Sequence, residues 1–169
     1  MKPSRHMLTG EISWAMIAIC YAWSGMGGWP LAPSYLYRML ERQGEQWIWT
    51  LVIGIPALVL LVVSSREWFA NLRRTQWDMF RIERSSRLRG RLCLVMLVSW
   101  LYMFMVMLRS AFDSMFPNGA QALDAPRANA MLPLALFGVI CMFWFWWENK
   151  RVQRDVRKAT GVFPAYPSC

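Results

Sequence analysis

The segment QWIWTLVIGIPALVLLVVSS, Gln46 to Ser65, has twenty residues and no charge. At about 1.5 Å per residue, a helix of this length measures about 30 Å, the thickness of a bilayer's hydrocarbon core. A helix apolar on every side gains nothing from water, whereas in lipid it satisfies all of its backbone groups internally. Three more uncharged stretches repeat the pattern: Ile12 to Trp29 (ISWAMIAICYAWSGMGGW), Leu92 to Leu108 (LCLVMLVSWLYMFMVML) and Met131 to Trp147 (MLPLALFGVICMFWFWW). Together they occupy nearly half of the 169 residues and leave no room for a separate globular domain. The chain, 1–169, therefore reads as one all-α, polytopic membrane domain of four transmembrane helices, with spans at about 12–29, 46–65, 92–108 and 131–147. Charged residues agree, at 17% of the chain against about a quarter in soluble domains.

The distribution of charge orients these spans. Of 19 basic residues, 15 fall in the N-terminal tail, in the loop 66–91 and in the tail 148–169. The other two connections hold Arg38, Arg42, Arg109 and Arg127, which Glu41, Glu45, Asp113 and Asp124 balance. The net charge of +9 is thus gathered on the side that faces both termini and the middle loop, which the positive-inside rule assigns to the cytoplasm. The expected topology is N-in/C-in, in a bacterial inner membrane. The competing reading takes the first span as a cleaved signal peptide ending near Cys20-Tyr21-Ala22; Thr9, Gly10 and Glu11 interrupt such a peptide at its start.

Several stretches carry finer signals. Ala15, Ala18, Ala22 and Gly25 recur at steps of three and four, which lines them on one helix face and makes them candidate helix-packing residues against another span or a second copy of the chain. The stretch WSGMGGWPLAP follows no strand and so lacks the context of a phosphate-binding loop; it reads as the exit of the first span. After Pro33, Ser34 to Gln43 (SYLYRMLERQ) has the pattern of a short amphipathic helix on the outer surface between spans one and two, with Gly44 as its stop. Pro56 is expected to kink the second span mildly.

The middle loop interleaves arginines with Trp68, Phe69, Trp77 and Phe80, and the final tail carries basic residues at helical spacing. Both read as helical cytoplasmic extensions of the spans. Arg73, Arg74, Arg81, Arg84, Lys150, Arg151, Arg154 and Arg157 are the candidate lipid-headgroup contacts, with an anionic bilayer as the partner. Basic and aromatic residues together also suit single-stranded nucleic acid, but topology already accounts for their position here.

No set of residues with catalytic or cofactor-binding spacing is present, and the four cysteines form no CxxC and no metal-ligand pair with the lone His6. The chain is read as non-enzymatic, without cofactor or metal. No ionisable residue falls within the spans as delimited, which counts against ion-coupled transport. Small four-span multidrug exporters share the topology but depend on a membrane-embedded glutamate, which is missing here. Ser24, Thr50, Ser64, Ser99 and Tyr102 are thin material for a polar pathway unless they converge.

The succession of PSYLYRML, QWIWTLVIGIPALVLL, SWLYMFMVMLR and ANAMLPLALFGVICMFWFW resembles small four-span membrane proteins of tailed bacteriophages. The chain departs from that pattern in its longer connection Arg109 to Ala130 and its extended basic tail. The resemblance implies no defined activity. The expected function is assembly in the membrane, as a phage-type lysis or permeabilising factor or as a platform for a partner. The alternative is a small-molecule channel or transporter subunit.

Overall fold

The computed structural model describes residues 3–25, 46–73, 78–115 and 125–161. They form four α-helices: α1, Arg5–Gly25; α2, Gln46–Arg73; α3, Met79–Met115; and α4, Ala125–Thr160. The helices α2, α3 and α4 are long and apolar enough to cross a membrane. With 37 and 36 residues, α3 and α4 are each about 55 Å long, well beyond the roughly 30 Å of hydrocarbon. Most of the excess comes from basic residues that continue the apolar helices without a break: α3 starts at Met79, ahead of Leu92, and α4 runs past Trp147 to Thr160, as α2 runs past Ser65 to Arg73. Pro56 lies inside an uninterrupted α2. The surface helix expected at Ser34 to Gln43 and the exit segment from Met26 to Pro33 lie outside the described residues.

Local signals mark the helix ends. The Ser4 hydroxyl accepts a hydrogen bond from the Met7 N–H (3.1 Å) and caps α1, which therefore starts two turns earlier than the apolar stretch. Asp78 Oδ1 accepts from the N–H groups of Phe80 (3.0 Å) and Arg81 (3.4 Å), so a carboxylate caps α3. Gly161, at φ 65°, takes the left-handed conformation that ends α4.

Contacts along the helices give an up-down-up-down bundle. Asn71 of α2 donates to the Pro3 carbonyl (3.1 Å), and a Cβ on Gly54 would lie 3.3 Å from that of Ala22, so α1 and α2 run antiparallel. Arg157 bonds Glu83 at one end of the α3–α4 pair, and Trp100 packs on Gly138 further along. Consequently the start of α1, the end of α2, the start of α3 and the end of α4 lie together. The three basic segments share that end of the bundle.

The core is filled by Trp14, Ala15, Ala18, Ile53, Ala57, Leu60, Cys93, Met96, Trp100, Ala135, Met142 and Phe145. Trp14 and Trp100 meet edge-to-face with centroids 5.4 Å apart, an arrangement that aligns the positive ring edge with the negative face. Gly138 makes room for them: a Cβ there would come within 2.8 Å of the Trp100 ring and 3.1 Å of the Trp14 ring. Gly10 does the same for Phe145, whose ring would lie 2.6 Å from an added Cβ. The outward faces are aliphatic and aromatic, with Leu51, Ile55, Leu58 and Val62 on α2, Val98 and Leu101 on α3, and Phe137, Ile140 and Trp144 on α4 all exposed.

Candidate functional site

Each helix contributes one polar residue to a buried node between the apolar part of the bundle and its basic end. Glu11 of α1 is fully buried. Its Oε2 accepts a hydrogen bond from the Ser64 hydroxyl of α2 (2.7 Å), and its Oε1 accepts one from Asn149 Nδ2 of α4 (2.6 Å). Arg89 of α3, also fully buried, places Nη1 3.4 Å from Oε2. Asn149 Nδ2 donates as well to the Phe145 carbonyl (2.9 Å), which orients the amide from within its own helix. One carboxylate thus gathers donors from three other helices.

A buried charge is tolerated only when paired and hydrogen-bonded, because its desolvation is otherwise far too unfavourable. Glu11 and Arg89 meet that condition together. Arg89 Nε and Nη2 nevertheless have no hydrogen-bond partner, and neither does Asn149 Oδ1. The pairing is therefore specific but lean: Glu11 is the one carboxylate with which Arg89 forms an ion pair among the described residues.

The node changes one sequence expectation. Uncharged stretches bounded at Ile12 and Leu92 place Glu11 and Arg89 just outside the first and third spans. In the structure α1 begins at Arg5 and α3 at Met79, so both charges lie within helices and inside the bundle. The ground for discounting transport on missing buried charge is thereby removed. A different one replaces it, since Glu11 is occupied by three fixed donors from Ser64, Arg89 and Asn149.

Below the node, polar contacts join α3 and α4. Ser86 donates to the Asn149 carbonyl (3.4 Å), Gln153 Nε2 donates to the Ser86 carbonyl (3.1 Å), and Arg157 Nε donates to Glu83 Oε1 (3.1 Å). Asn149, Gln153 and Arg157 are four residues apart and so lie on one face. Ile82, Val152 and Val156 fill the space between these contacts. The Arg87 and Arg157 guanidiniums hold the Glu83 carboxyl below the usual carboxylate range.

The residues singled out in the sequence have these positions. Ala15, Ala18 and Ala22 are buried, and Ala22 faces Gly54 across the α1–α2 contact. Gly25 is the last residue of α1, and its surroundings lie outside the described side chains. Arg73, at the end of α2, is exposed, and Arg74 lies outside the described residues. Arg81 and Arg84 flank a cavity between α2 and α3. Lys150, Arg151, Arg154 and Arg157 are exposed along α4, where Arg154 stacks over Trp147 at 5.7 Å and Lys150 lies 6.0 Å over Trp146.

Of the hydroxyls considered as material for a polar pathway, the side chains of Ser24 and Thr50 lie outside the described residues. Ser64 is bound to Glu11, Ser99 donates to the Val95 carbonyl of its own helix (3.0 Å), and Tyr102 is 45% exposed. Cys20, Cys93 and Cys141 are free thiols. Among the described residues, no group of three His, Cys, Asp or Glu is placed to hold a metal ion. No protein-family model, curated protein or solved structure matches this chain.

Proposed function

We propose that the chain is a non-enzymatic integral protein of a bacterial inner membrane, that all four helices span it with both termini cytoplasmic, and that it acts as a membrane platform. The observation that carries this reading is the division of chemistry over the bundle. The polar groups of the core turn inward onto Glu11, the outward faces of the apolar helices are aliphatic and aromatic, and the basic residues collect on helical extensions at one end. Such a body anchors in lipid and presents a rigid cationic surface to what lies beside the membrane, an anionic bilayer face or an acidic partner.

Within the wider expectation of assembly in the membrane, this division favours the platform over the permeabilising factor. Copies meeting through the exposed apolar faces would enclose aliphatic and aromatic surface, since among the described residues Glu11, Ser64, Arg89 and Asn149 bond one another inside the bundle. The alternative of a channel or transporter subunit has less support for the same reason. Retention of the first helix, rather than its removal as a signal peptide, is supported by its contribution of Glu11, Trp14, Ala15 and Ala18 to the interior. Phage origin is supported by the sequence resemblance.

The test is controlled expression of the full chain in bacteria. Resistance to carbonate extraction, an N-terminus retained in the mature protein, and a membrane potential that stays intact at high expression are expected. Potassium efflux on induction, or lysis with a co-expressed muralytic enzyme, would replace the platform with the permeabilising reading.

A further inference from the structure

A cavity of about 620 Å³ lies between α2 and α3 at the basic end, and its walls have a divided chemistry. Arg66, Arg81 and Arg84 line it, and among the described residues none of the three is paired with a carboxylate. Ser85 lines it too, with a buried hydroxyl that has no hydrogen-bond partner. The acids in its wall are Glu67, which is buried, and Asp78, whose Oδ1 is engaged in capping α3. Three guanidiniums against two carboxylates leave a lining with one excess positive charge. The other walls are apolar: Val62, Phe80 and Leu88, all exposed on the outer face of the bundle.

The position is as informative as the lining. Arg66 immediately follows the uncharged stretch that ends at Ser65, so the cavity straddles the boundary between apolar helix and basic extension. In a membrane that boundary is headgroup depth. A ligand held here meets arginines and a hydroxyl donor on one side and aliphatic and aromatic carbon on the other. Arginine matches the paired oxygens of a phosphate, and a volume in the range of about 300–1,000 Å³ is that of a small-molecule site rather than of one ion.

We propose that this cavity is a specific site for one anionic phospholipid, with the phosphodiester held by Arg66, Arg81, Arg84 and Ser85 and the upper acyl chains lying along Val62, Phe80 and Leu88. A single phosphodiester charge neutralises the lining. The acceptor oxygens of Glu67 suit the hydroxyls of a glycerol headgroup, so phosphatidylglycerol is the chemistry that fits best. The inference rests on the chain being embedded in a bilayer.

The test uses the full chain, extracted in mild detergent, and native mass spectrometry with added phosphatidylglycerol, phosphatidylethanolamine or phosphatidylcholine. One phosphatidylglycerol per chain should be retained, at about tenfold or greater preference over phosphatidylcholine, which corresponds to a modest free-energy difference. Combined Arg66→Gln, Arg81→Gln and Arg84→Gln should abolish retention. Ser85→Leu, which keeps every charge, removes the hydroxyl and narrows the cavity, should weaken it by about tenfold or more. Removing the same number of charges from exposed Arg5, Arg91 and Lys158 should leave it unchanged.

Equal retention of all three lipids by the wild-type chain would overturn the site, whether or not any variant folds. So would displacement by millimolar inorganic phosphate, which would make it a site for soluble phosphate. Equal losses in the two arginine and lysine sets would reduce the effect to net charge. Carbonate extraction in parallel separates the two ideas: a chain that stays in the membrane but shows no lipid preference refutes the site and leaves the membrane reading standing.

Discussion

Replacing Glu11 with leucine removes the acceptor shared by Ser64, Asn149 and Arg89 and leaves a fully buried guanidinium without a counter-charge. At the observed 3.4 Å separation, the lost attraction is about 5 kcal/mol for an effective dielectric constant of about 20. Breaking one partner of a buried pair costs about 3–5 kcal/mol in measured cases, so both routes give the same scale. Arg89→Met should cost a similar amount, because it strands the Glu11 carboxylate with only Ser64 and Asn149 as donors. The double variant Glu11→Leu, Arg89→Met removes both charges together. It should be destabilised less than either single variant, by about 1–3 kcal/mol, the cost of leaving the Asn149 amide and Ser64 hydroxyl short of an acceptor. Unfolding in mixed micelles, followed by tryptophan fluorescence from Trp14 and Trp100 in the core, gives the three values. Additive single effects, or single effects below about 0.5 kcal/mol, would refute the claim that these charges are buried against each other.

Other expectations follow from the packing and are checked in the same unfolding titration. Gly138→Ala should destabilise by about 1–3 kcal/mol, because its new Cβ meets the buried Trp100 ring at 2.8 Å and the Trp14 ring at 3.1 Å, so both rings must shift. Ala18→Leu should cost a similar amount, whereas Met16→Leu, at a position 54% exposed on the same helix, should change stability by less than about 0.5 kcal/mol. Met142→Ala, in a fully buried position, should cost about 2–5 kcal/mol through its cavity. Arg157→Gln should cost less than about 1 kcal/mol and lose its effect in high salt, since the pair with Glu83 is largely solvent-screened.

Helix positions were legible in the sequence wherever apolarity alone decides them. The stretches around Gln46–Ser65, Leu92–Leu108 and Met131–Trp147 each lie within one helix, and helix continues from them into basic residues as far as Arg73 in α2, back to Met79 in α3, and on to Thr160 in α4, where Gly161 ends it. The gathering of basic residues at one end follows from alternating helix directions, which the charge distribution already required. The apolar stretch from Ile12 does not show where α1 begins: Ser4 caps the helix two turns earlier, and Glu11 lies inside it because Arg89 pairs with its carboxylate.

The node itself escaped a reading that treats each span alone. Glu11, Ser64, Arg89 and Asn149 are up to 138 residues apart, and only tertiary packing brings them together. A signal was nevertheless present: all four lie within three residues of a span edge on the same expected side, hence at nearly the same depth. The close approaches at Gly10 and Gly138 were invisible for another reason. Nothing in the local pattern says which aromatic ring from another helix will cross a given glycine.

In a membrane, the helix ends that carry the basic segments should all share one side. Single cysteines at His6 and Arg154, in a chain with the native cysteines replaced, can be probed with a membrane-impermeant maleimide in intact spheroplasts and in inverted vesicles. Labelling of both positions in inverted vesicles and of neither in spheroplasts is the predicted result. Labelling of the two positions from opposite sides, or of either one in intact spheroplasts, would contradict it.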